Sequence, residues 1–222
     1  MRIASLTLAG ALGLAAACGS SDHVPETFEE WRALNPALEH YQPLHEEWVP
    51  QMGIHWGAPG PHLTLGVGHD DVVVVVEIIV PAETGWHPWF DQPENEPMNL
   101  GGNDVYTQHV WIAERDSIVE DAPPALLPLT LESLRAENPA LDQYQAISDY
   151  VPGMGFHYGV QGPAVVLAVG HEGEINAFEL ISPAEVGWFP WFDQPEDAPM
   201  ELPGVGEVYT QHVWVVDPAT LD

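Results

Sequence analysis

The chain has 222 residues, with 34 acidic side chains against 4 basic ones and a net charge of −30. A surface this acidic repels phosphate backbones and anionic lipid heads, so nucleic acid is excluded as a natural partner and so is membrane attachment through a basic patch. Hydrophobic residues make up 45% of the chain, including nine tryptophans, so a packed core is within reach and disorder is not the reason for the charge.

Residues 1–17 read as a signal peptide. Arg2 supplies a short positive start, and the apolar run Ile3 to Ala17 is too short to span a bilayer. The run ends in Leu14-Ala15-Ala16-Ala17-Cys18-Gly19, a lipobox-like site with Ala15 where Leu is commoner. Cys18 is then the lipidation site and the first residue of the mature chain. Ordinary cleavage with an incidental cysteine is the alternative. As the sole cysteine, Cys18 cannot form an internal disulfide. Multiple acyl chains hold a protein on a membrane far better than one. Gly19 after the cysteine fits transport to an outer membrane, facing periplasm or surface. Residues 18–25 form a lipidated tether.

The rest is a tandem duplication with a spacing of about 102 residues. Met52-Gly53-Ile54-His55-Trp56-Gly57 returns as Met154-Gly155-Phe156-His157-Tyr158-Gly159. Pro81 to Glu94 returns nearly intact as Pro183 to Glu196, and Val105 to Trp111 returns letter for letter as Val208 to Trp214. An acidic, proline-rich seam at 120–129 separates repeat domain 1 (26–120) from repeat domain 2 (127–222). Side-by-side packing with pseudo-twofold symmetry and strand exchange between the copies both fit.

In chain order, each copy begins with a helix, capped by Asn35 or Asn138, starting at Pro36 or Pro139 and ending before Pro50 or Pro152. The glycine-rich stretch around His55 and His157 is a turn or edge segment. Strands are expected over 62–68 and 164–170, over the β-branched 72–80 and its counterpart 174–181, and over 105–113 and 208–216. The fold class is mainly β with short helices (α+β): two tandem repeats of a small antiparallel β-barrel or β-sandwich domain.

Glu77 shares a strand face with Val73, Val75 and Ile79, and Glu179 has the same setting in the second copy. A carboxylate among β-branched residues is exposed at an edge or buried with a partner. Three histidines recur in both copies: His55 with His157, His69 with His171, and His109 with His212. Two histidines and a glutamate converging from His55, Glu77 and His109, and from His157, Glu179 and His212, would make a cupin-like divalent metal site, with a transition metal as the cofactor. A core histidine hydrogen-bonded to Glu77 is the plainer reading. His40, His45, His62 and His87 have no counterparts in the second copy and are expected at the surface.

The segments around Trp86, Trp89 and Phe90, and around Trp188, Trp191 and Phe192, concentrate aromatics and prolines. They form either a binding platform for a glycan or an envelope protein, or a loop that folds back as a plug. The carboxylate pairs Asp91 with Glu94 and Asp193 with Glu196 lie too close in sequence to suggest glycosidase geometry. No nucleophile elbow, P-loop or dinucleotide fingerprint is present.

At Met-Gly-x-His and Tyr-Thr-Gln-His-Val-Trp the chain resembles a family of exported bacterial proteins of unknown function. The segment Val151 to His157, the strand glutamate Glu179 and the closing strand Val208 to Trp214 carry the resemblance, which implies export and a β-rich fold. The expected function is a cell-envelope lipoprotein binding a divalent metal or small ligand. The alternatives are an interaction module using the tryptophan loops and a cupin-like metal-dependent enzyme.

Overall fold

A computed structural model describes residues 24–221; the expected leader and Cys18 lie outside them. The first copy contributes α1 (Phe28–Leu34), β1 (Gln42–Pro43), β2 (Ile54–Gly57), β3 (Thr64–Val67), β4 (Val73–Pro81), β5 (Met98–Leu100) and β6 (Asn103–Trp111). The second contributes α2 (Leu131–Glu137), β7 (Gln145–Ala146), β8 (Phe156–Gly159), β9 (Val166–Val169), β10 (Ile175–Pro183), β11 (Met200–Leu202) and β12 (Gly206–Trp214). Each copy forms a six-stranded antiparallel curled sheet, in the orders β1-β2-β3-β4-β6-β5 and β11-β12-β10-β9-β8-β7. The protein is therefore mainly β with two short helices, built as tandem half-barrels.

The helices start earlier than expected. Thr27 is the N-cap of α1 in a capping box with Glu30, and Thr130 caps α2 by accepting from the Ser133 N–H. Asn35 and Asn138 instead end these helices, and Pro36 and Pro139 each open a 3-10 turn. The cause is local: a residue before proline is pushed out of the helical region, and Asn35 sits at φ −126°, ψ 84°. The segment expected as a turn or edge around His55 is strand β2, paired on both sides by β1 and β3.

Strand alternation divides each sheet into two faces. Val76, Ile78 and Val80 of β4 join a core that also contains Leu167, Phe178 and Val213 of the other copy. The opposite face carries Val75 and Trp111 in a smaller cluster, together with Glu77 and His109. One hydrophobic core thus serves both copies.

The contact between copies is reciprocal. The Gln211 side chain accepts from the Leu63 N–H at 2.8 Å and donates to the Tyr41 hydroxyl at 2.9 Å. Gln108 does the same for the Val165 N–H at 2.9 Å and the Tyr144 hydroxyl at 2.8 Å. Each tyrosine in turn donates to a backbone carbonyl, Tyr41 to Leu63 and Tyr144 to Val165. Asn138 clamps the backbone of Trp111, accepting at 2.7 Å and donating at 2.9 Å, and Asn35 clamps Trp214 at 2.6 and 2.8 Å. Two glutamines that are fully buried remain tolerable only because each amide is satisfied on both its oxygen and its nitrogen. The pairing is isologous, the pattern of a twofold dimer inside one chain.

Candidate metal centres

Strand register brings the site together. Glu77 lies directly opposite His109 in the β4–β6 ladder, and Glu179 directly opposite His212 in the β10–β12 ladder, so each pair shares a face. His55 on β2 pairs with Gly66 on β3, which pairs with Val75 on β4, one same-face step from Glu77. His157 reaches the same position in the second copy across Ala168. The result is two clusters, His55–Glu77–His109 and His157–Glu179–His212, in each of which one ligand atom per residue lies within 4.8 Å of the others.

The two histidines of each cluster meet different oxygens of its glutamate. In the first copy Glu77 lies 3.7 Å from His55 Nε2 and 3.1 Å from His109 Nε2. In the second, Glu179 lies 3.6 Å from His157 Nε2 and 3.5 Å from His212 Nε2. Ligands about 2.1 Å from a tetrahedral ion are separated by about 3.4 Å. His55, Glu77, His109, Glu179 and His212 are buried, and His157 is half-buried.

The other ring nitrogens are already engaged. His109 Nδ1 meets Asp91 Oδ2 at 2.7 Å, and His212 Nδ1 meets Asp193 Oδ2 at 2.8 Å. His55 Nδ1 meets His45 Nε2 at 2.8 Å, and His157 Nδ1 meets the Ser148 hydroxyl at 3.0 Å. The Nε2 atoms of His109 and His212 and the Oε2 atom of Glu179 are buried and make no well-aligned hydrogen bond, although each nitrogen faces a carboxylate oxygen, at 3.1 Å from Glu77 and 3.5 Å from Glu179. A carboxylate on one ring nitrogen, with the other nitrogen turned toward a further donor group, is an arrangement that also orients metal-binding imidazoles.

Electrostatics match. Burial opposes charge on His109, but Glu77 and the hydrogen bond to Asp91 outweigh it and push its pKa up to about 9. Burial likewise opposes charge on His212, and Asp193 and Glu179 overcome it, so that pKa is also raised. Burial lowers His55 and His157, and it raises the Glu179 carboxyl. Each cluster thus pairs one imidazole that is readily neutral with one whose proton is held by carboxylates.

Of the expected residues, the six cluster members converge. His69 and His171 do not join them: His69 contacts the Glu120 carbonyl and Asp70, and His171 stacks on Tyr150. The surface expectation fails for His45, which is half-buried against His55, and for His62, whose ring bonds to Gly60, Ala58 and Thr64. His87, half-buried, stacks on Trp89, and His40 is exposed.

Of the two readings of the aromatic loops, the plug describes four of the six rings and the platform is corrected for those four. Trp89, Phe90, Trp191 and Phe192 are buried in the shared core, and Trp86 and Trp188 are half-buried with their N–H groups given to Gln92 and Gln194 carbonyls. Trp89 donates across the interface to the Pro163 carbonyl at 2.7 Å, and Trp191 to Pro61 at 2.7 Å. Aromatic rings that fill the core cannot stack on a glycan.

Those loops carry what sequence reading missed. Next to the buried Phe90, which stacks on Tyr106, Asp91 turns inward to His109, and Gln92 bonds the Thr107 backbone and hydroxyl. The signal was present: Asp91 and Asp193 lie inside the longest repeated string, but only the fold brings them to a histidine on the closing strand. A cleft of about 490 Å³ between the copies reaches Asp193 and His212, lined on its far side by Pro36, Ala37 and His40. The chain matches no protein-family model, no curated protein and no solved structure.

Proposed function

We propose that each copy binds one divalent transition-metal ion through two histidine Nε2 atoms and one glutamate, and that the protein does so as an exported, lipid-anchored component of the cell envelope. The observation that carries the metal reading is the convergence, in each copy, of two imidazole Nε2 atoms on one buried glutamate, with an aspartate behind Nδ1 of His109 and of His212. Two imidazoles and a carboxylate suit zinc, iron or copper rather than calcium or magnesium. Three protein donors leave coordination positions for water or a small ligand. The aspartates orient the imidazoles of His109 and His212.

Metal analysis of the purified, dialysed protein tests this. Two equivalents of zinc per chain are expected, one lost in His109→Ala, one in His212→Ala, and both in the double variant. A folded protein that takes up no metal, and whose melting temperature ignores added zinc, overturns the reading. The envelope assignment rests on the leader and Cys18, and Cys18→Ser is expected to move the protein from the membrane fraction to the soluble one.

A further inference from the structure

We infer that the two centres are not equivalent, and that His45 makes the first the tighter by fixing His55 in the tautomer that offers its Nε2 lone pair to a metal. The inference rests on the metal reading above.

The protons follow from the hydrogen-bond network. His45 Nδ1 lies 2.7 Å from the Glu47 carbonyl oxygen, which can only accept, so that nitrogen carries the hydrogen. His45 Nε2 then bears a lone pair, and the backbone N–H of His55 points at it from 3.4 Å. His55 Nδ1, 2.8 Å from the same lone pair, must therefore donate. His55 in its neutral form is left with a bare Nε2, facing Glu77 Oε2 at 3.7 Å. A lone pair and a carboxylate oxygen that face each other repel, and a cation between them turns the repulsion into two bonds.

The second copy lacks this device. The Leu44 N–H donates to the His55 carbonyl at 2.8 Å, and Ile147 does the same to His157 at 2.8 Å, which places His45 and Ser148 at corresponding positions. The Ser148 hydroxyl accepts from the His157 backbone N–H at 3.1 Å and lies 3.0 Å from His157 Nδ1. A hydroxyl has one hydrogen and a second lone pair, so it serves His157 Nδ1 equally as donor or acceptor. With a carboxylate 3.6 Å from Nε2, the metal-free ring gains by carrying its hydrogen on Nε2, where it blocks coordination. Ser148 permits that state, and His45 forbids it at His55. His45 is thus a positioning residue, acting on the metal only through His55.

Zinc titration against a competing chelator tests the inference on wild type, His45→Ser and Ser148→His, which exchange the two residues between copies. Wild type is expected to take up two zinc ions with unequal affinity. His45→Ser should weaken the tighter step by roughly tenfold to a hundredfold, and Ser148→His should tighten the weaker step. Long-range 1H–15N spectra of the metal-free protein supply a readout that packing alone would not move. They should show His55 with its hydrogen on Nδ1 in wild type and a tautomer mixture in His45→Ser. Two equal zinc affinities in wild type, or an unchanged tighter step in His45→Ser, overturn the inference and leave the metal reading standing. Absence of zinc binding in every variant overturns both.

Discussion

Asp91 shows how much one side chain does at this site. Its Oδ2 accepts from the Thr107 hydroxyl and the His109 backbone N–H, each at 3.1 Å, while it holds His109 Nδ1. The carboxylate is fixed from three sides before any metal arrives, so the imidazole direction is set in advance. Asp91→Asn keeps the shape and removes the charge. It is expected to weaken zinc at the first centre by about tenfold to a hundredfold, read by chelator competition. Glu77, with Asp91 behind it, sets the pH dependence. The folded pKa of His109 lies near 9, above its ordinary 6.5, so in the metal-free protein its stabilising charge is present below 6.5 and lost as the pH rises through 9. Zinc must displace that proton. Zinc affinity at the first centre should therefore increase with pH up to about 9 and then level off, and proton release on binding, measured in a weak buffer, should fade over the same interval.

At the scale of elements, strands were legible in the sequence where composition and alternation agree. The β-branched run that becomes β4 and the repeated closing strand β6 appear within a residue or two of their expected places. Their register follows from the same alternation, which is why Glu77 and His109 could be put forward together. The helix starts were not legible, because Asn35-Pro36 mimics a cap, while the capping box at Thr27 competes for the same segment and wins by satisfying two N–H groups. The role of the PWFDQPE loops was hidden for a different reason. Exposed platform and buried anchor share one composition, and only the position of the partner copy decides between them. Trp89 finds Pro163, and the loop is pinned with Asp91 turned inward. His45 was hidden too, since its partner His55 is reached through the antiparallel pairing of β1 and β2.

On the scale of the whole molecule, the two copies are halves of one hydrophobic core. Trp31 of α1 is fully buried and stacks on Phe178 of the other copy at 6.1 Å, and the Gln–Tyr networks close the interface in both directions. A fragment of residues 24–120 exposes that face to water and orphans buried amides, at a cost above what a small domain's margin covers. Alone it is expected to be unfolded or to form a homodimer, and to recover a native circular-dichroism spectrum when mixed with residues 121–222. Because β4 and β6 present one face to this core and the other to the first His–Glu cluster, and β10 and β12 do so for the second, the interface and the two clusters depend on the same strands.

The most direct measurement of the central claim is anomalous diffraction at the zinc edge from crystals of the zinc-loaded protein. The account predicts two peaks per chain, each about 2.0–2.2 Å from two histidine Nε2 atoms and one glutamate oxygen. Peaks confined to surface carboxylates, with Glu77 and Glu179 bonded only to protein, would contradict it.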